Sequence, residues 1–166
     1  MIEPAFSAVL RKLYNELAGS CVNWVVTGSL NFALQGLPII PHDIDIQTDT
    51  PGAYEIEHRF ALYVTRKVVF SSTERIRSHF GAMLIDGITV ELMGDLQKRL
   101  EDGCWEEPVD LNRHKRFVAF EDIDVPALSL EYEAQAYRKL DRLERAQMLQ
   151  EALSRFQPHS TEGNNH

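Results

Sequence analysis

Apolar residues recur at helical spacing near the start of the chain. Phe6, Val9, Leu10, Leu13 and Leu17 form one stripe over residues 4–18, and Gly19-Ser20 closes it. The period then changes. NWVVT (23–27) is short and β-branched, which predicts a buried strand, and SLNFALQG (29–36) predicts a short helix opened by Ser29 and stopped by Gly36. The two prolines of PIIP (38–41) forbid regular structure there. In HDIDIQTD (42–49), Ile44 and Ile46 alternate with Asp43, Asp45 and Gln47, a period of two and therefore a strand. A proline-led helix is expected over residues 51–63 and a strand over 66–72. Across residues 79–95, two strand-like runs meet at Asp86-Gly87, a two-residue hairpin turn. QKRLEDGCWEEPVD (97–110) reads as irregular, residues 116–128 as one extended segment, and Ser129 to about Phe156 as a single long helix. The pattern predicts one domain over residues 1–157 and a flexible polar tail over 158–166.

The strand at 42–49 carries the first candidate chemistry. Residues i and i+2 of a strand share a face about 6.6 Å apart, so Asp43 and Asp45 present two carboxylates side by side while Ile44 anchors the opposite face. Carboxylates held this close repel unless a cation sits between them. Mg²⁺ suits such a site, because it takes few protein carboxylates and completes its shell with water and phosphate oxygens. Two such ions about 3.5–4 Å apart are a standard device for in-line attack on phosphorus. Glu91, flanked by Val90 and Leu92, is the expected third carboxylate, since a charge between two apolar strand residues is costly unless it faces solvent or a metal. Counted from the Asp86-Gly87 turn, Thr89, Glu91 and Met93 fall on one face and Ile88, Val90 and Leu92 on the other. Gly28 permits close backbone approach to a ligand, and Ser29 begins a helix whose N–H groups form a phosphate cradle.

Composition narrows the partners. The 166 residues carry 25 acidic and 17 basic side chains, a net charge of −8, which argues against a broad nucleic-acid surface. It fits divalent cations and a small polar substrate. The apolar runs are too short to span a bilayer, and Cys21 and Cys104 form neither a metal-type pair nor a disulfide framework. A cytoplasmic location is expected.

The succession strand, Gly28-Ser29, helix, connector, Asp43-Ile44-Asp45 and then Glu91 resembles the nucleotidyltransferase superfamily that includes DNA polymerase beta. Within it, the spacing is similar to the aminoglycoside and lincosamide nucleotidyltransferases and to small single-domain members. The motif spans roughly residues 22–95, with Pro41-His42 where many relatives carry Arg or Thr. The resemblance implies an α/β (α+β) fold: a small mixed or antiparallel sheet, helices mainly on one side and a long C-terminal helix. It implies transfer of a nucleoside monophosphate from an NTP to a small-molecule hydroxyl with Mg²⁺ or Mn²⁺, two ions, bound by Asp43, Asp45 and Glu91. Gly28 and Ser29 would hold the triphosphate, and Glu91 would help activate the acceptor hydroxyl. Lys139 and Arg142 on the long helix are further nucleotide-binding candidates, and Arg75, Arg77 and Tyr137 are candidates for substrate contact. Trp105 would stack on a base or cover the sheet edge, and His42 would orient a carboxylate or lie at the surface. The alternatives are a non-catalytic nucleotide- or partner-binding module of the same fold, antitoxin-like or regulatory, and a tRNA-modifying toxin. The acceptor, the base preference and the oligomeric state stay open at this point.

Overall fold

The computed structural model describes residues 2–156, so the tail expected over 158–166 lies outside the described residues. The chain divides after Ser129 into two compact units.

The first unit runs α1 (Pro4–Leu17), β1 (Trp24–Thr27), α2 (Gly28–Leu34), β2 (Ile44–Thr48), α3 (Thr50–Arg59), a 3-10 turn (Ala61–Tyr63), β3 (Val64–Ser72), β4 (Ile76–Ile85), β5 (Ile88–Lys98), α4 (Leu111–His114), β6 (Lys115–Phe120) and β7 (Ile123–Leu128). Its seven strands form one mixed sheet in the order β3-β4-β5-β2-β1-β7-β6. β2 runs parallel to β5 and β1 parallel to β7, while the other pairs are antiparallel.

The alternation read from sequence decides which face is dry. Val26, Ile44, Ile46, Met83, Val90 and Leu92 join the core with the α1 stripe and with Ala53 and Ile56 of α3. Full burial of each such aliphatic side chain favours folding by about 1.5–3 kcal/mol. With that face committed to helices, the polar positions of β2 and β5 must occupy the other.

α3 starts where β2 ends. The Asp49 side chain accepts from the Gly52 N–H at 2.7 Å, and Asp95 accepts from the Thr50 N–H at 2.9 Å. Asp95 itself has a left-handed backbone, φ 50°, so an irregularity in β5 serves as a second cap. Asp49→Ala is expected to lower stability by about 1 kcal/mol in thermal melts, leaving NTP affinity unchanged.

Two expected segments are subdivided. Residues 116–128 are a hairpin of β6 and β7, turning at Glu121, whose φ is +52°. Neither turn residue is glycine. Arg11 of α1 pairs with both Glu121 and Asp122, so a tertiary ion pair holds the turn, and the same contact keeps the Asp122 carboxyl below the usual carboxylate range. In the second unit, the single helix expected from Ser129 is α5 (Leu130–Lys139) followed by α6 (Leu143–Phe156). Asp141 adopts φ +57°, its N–H bonds to the Arg138 carbonyl, and the Arg142 N–H bonds to the Tyr137 carbonyl. That is a Schellman stop with aspartate in the place usually held by glycine. The Arg138 guanidinium donates to Gln150 at 2.8 Å, which ties the two helices together.

Candidate active site

Asp43 immediately precedes β2 and Asp45 lies within it, with Ile44 and Ile46 fully buried on the opposite face. Glu91 sits on β5 between buried Val90 and Leu92. The parallel register places Asp45 directly beside Glu91. Asp43, Asp45 and Glu91 each offer a carboxylate oxygen, these atoms lie within 4.8 Å of one another, and all three residues are half-buried. Glu91 thus shares the face of the aspartate pair.

On the other side of Asp45, antiparallel β1 pairs Thr27 with it and then turns into α2 at Gly28. Gly28 has φ +71°, and a Cβ there would stand 2.6 Å from Asp45 Oδ2. Glycine is therefore required twice, once by the backbone and once by the carboxylate packed against it. The sequence pointed to ligand approach; the structure adds that Asp45 itself occupies the space. α2 is held in place by Asn31, whose Nδ2 donates to the Leu128 carbonyl at 2.8 Å, and by Gln35, which donates to Asn31 Oδ1 at 2.7 Å. The His42 N–H lies 3.5 Å from Ser29 Oγ, so the segment leading into Asp43 runs beside the start of α2. The His42 side chain is exposed.

Gly28→Val is expected to destabilise the fold by about 1–3 kcal/mol, the range for a non-glycine residue in strained backbone, and to displace the Asp45 carboxylate. A thermal melt with a parallel Mg²⁺ titration checks both effects.

Other candidates lie elsewhere. Arg77 pairs with Gln97, five residues along β4 from Ala82, which faces Glu91; that is about 17 Å of strand. Its guanidinium donates to Gln97 at 3.0 Å and stands over the Trp105 ring at 4.4 Å. Trp105 therefore carries an arginine over its ring. Arg75 is exposed in the turn before β4, where its carbonyl accepts from the Arg99 N–H. The structure does not bring these arginines to the carboxylates. Tyr137, Lys139 and Arg142 belong to the second unit. Lys139 ends α5 and Arg142 follows the turn, so they are not neighbours on one helix as expected; the Arg142 guanidinium lies 6.0 Å from the Tyr137 ring centre.

Two residues on the carboxylate face were given no role in the sequence reading: Thr27, beside Asp45, and Gln47, two residues beyond it. The period-two pattern already placed Gln47 on that face.

The donor chemistry fits a divalent cation, since three carboxylates converge and all are hard oxygen ligands. A carboxylate trio on adjacent strands of a mixed sheet, beside a glycine-opened strand-to-helix turn, defines a nucleotidyltransferase. More narrowly, the chain belongs to the aminoglycoside-2''-adenylyltransferase family, whose model matches residues 9–150. A search among curated proteins gave no match. A crystal structure of a candidate nucleotidyltransferase from Thermotoga maritima (TM1012) is 61% identical, covers 93% of this chain and 96% of its own, and superposes with a TM-score of 0.83. Two more distant structures share the fold. The lincosamide antibiotic adenylyltransferase LnuA, solved with lincomycin bound, is 12% identical with a TM-score of 0.54, covering 89% of this chain and 98% of its own. The antibiotic-resistance factor ANT(2'')-Ia is 13% identical with a TM-score of 0.57, covering 91% of this chain and 86% of its own. Among the described residues, no helix is long and apolar enough to cross a membrane.

Proposed function

We propose that this protein transfers a nucleoside monophosphate from an NTP to a hydroxyl of a small molecule, releasing pyrophosphate, with Mg²⁺ or Mn²⁺ as cofactor. The observation that carries the reading is the convergence of Asp43, Asp45 and Glu91 beside the Gly28-Ser29 turn. The small-molecule acceptor is supported by the family name and by the antibiotic-modifying proteins that share the fold.

In this reading Asp43, Asp45 and Glu91 would hold the cation, which would supply charge stabilisation to the phosphate oxygens. Ser29 and the backbone N–H groups after Gly28 hold the β- and γ-phosphates. That places the leaving pyrophosphate at the α2 end of the site. Glu91 accepts a hydrogen bond, and then the proton, from the acceptor hydroxyl. No side chain is asked to form a covalent intermediate; positioning and charge stabilisation carry the rate.

The test is turnover of each NTP, labelled at the α-phosphate, with Mg²⁺ or Mn²⁺ and a panel of aminoglycosides, lincosamides and other polyhydroxylated metabolites. A labelled acceptor appearing with stoichiometric pyrophosphate supports the proposal. A folded protein that releases no pyrophosphate with any NTP overturns it.

A further inference from the structure

The proposed site leaves Gln47 unused. It is only 6% exposed, and its Oε1 is buried with no hydrogen-bond partner among the described residues. Burying an amide oxygen unpaired is costly, and the great majority of buried polar groups avoid it. Its cross-strand neighbours are Val25 on β1 and Met93 on β5, neither of which has a polar side-chain group to offer beyond the weakly accepting Met sulfur. An apolar residue of similar volume would satisfy the fold at least as well.

The position suggests what the amide is for. Gln47 shares the face of Asp45 and lies two residues further along β2, about 6.6 Å away. The Gly28-Ser29 turn lies at the opposite end, because antiparallel β1 pairs Val25 with Gln47, Thr27 with Asp45, and then passes toward Asp43. The order along the face is therefore phosphate turn, carboxylates, amide.

We propose that Gln47 is a nucleotide-binding residue whose carboxamide oxygen accepts a hydrogen bond from a ribose hydroxyl of the NTP seated at the carboxylates. The inference rests on the functional reading above. The nucleotide is favoured over the acceptor because so buried an amide is reached only by a group seated against the sheet. The ribose, whose hydroxyls can donate to the amide oxygen, is that group when the nucleotide sits at the carboxylates.

The test titrates the protein, in Mg²⁺, with α,β-methylene ATP and α,β-methylene GTP by calorimetry, for wild type, Gln47→Leu and Asp45→Asn. Gln47→Leu is expected to bind the preferred analogue about tenfold more weakly, the scale of one buried hydrogen bond. Without nucleotide it should melt at or above the wild-type temperature, which a residue needed for the fold would not do. Wild-type affinity in Gln47→Leu together with lost affinity in Asp45→Asn overturns the role of Gln47 and leaves the active-site reading standing. Unchanged nucleotide affinity with a raised acceptor KM also overturns it, moving the amide to the acceptor side. A Gln47→Leu protein that melts well below wild type overturns it in favour of a structural amide. Wild-type affinity in Asp45→Asn, or no analogue bound by the wild type, sinks the active-site reading itself.

Discussion

Replacing Asp43 and Asp45 together with asparagine is expected to abolish metal-dependent NTP binding and leave no measurable nucleotidyl transfer. The two side chains and Glu91 bring oxygen ligands within 4.8 Å of one another, and a hard divalent cation is held by such oxygens as charged ligands. Asparagine keeps the shape and removes the charge. The fold should survive, because the anchoring residues Ile44 and Ile46 face the other way into the core. Calorimetry with Mg²⁺ and NTP, alongside a thermal melt, separates the outcomes. Unchanged affinity in a folded double variant would remove the metal-site reading.

Glu91→Gln should behave differently. Two aspartates remain to seat the nucleotide, so NTP affinity is expected to stay within a few-fold. Turnover should fall by about 10²-fold or more, the usual scale of one acid–base contribution. The register places Glu91 beside Asp45 on the same face of the sheet, and in the proposed reaction its carboxylate takes the proton of the acceptor hydroxyl. Equal losses in binding and turnover would instead make Glu91 a metal ligand alone. A variant with wild-type turnover would move the proton transfer to another group.

The carboxylates were legible because strand geometry is local. Ile44 and Ile46 had to be buried, so Asp43 and Asp45 had to face away, and the Asp86-Gly87 turn counted Glu91 onto one face of its hairpin. The glycine at position 28 was legible as a special position but not for its full reason. That reason is a carboxylate seventeen residues later in the chain, Asp45, lying 2.6 Å from where a Cβ would stand.

Other features depended on partners the sequence does not place. The turn at Glu121 has no glycine signal and is held by Arg11 from the far end of the chain. The helix break at Asp141 puts a non-glycine residue in left-handed backbone, where propensity alone predicts a continuous helix. Arg77 read as a candidate for substrate contact, and only the fold shows its guanidinium over the Trp105 ring.

By itself, the sequence determined the elements whose rules act over a few residues: the α1 stripe, the alternating strands, the β4–β5 hairpin, and the face on which each acidic side chain stands. Tertiary structure alone decided that β2 lies parallel to β5 with Asp45 beside Glu91. Parallel strands joined by a long connection have no turn to set their register. That register comes instead from packing Ile44, Ile46, Val90 and Leu92 into one core, and a one-residue slip would turn Glu91 away from the aspartates.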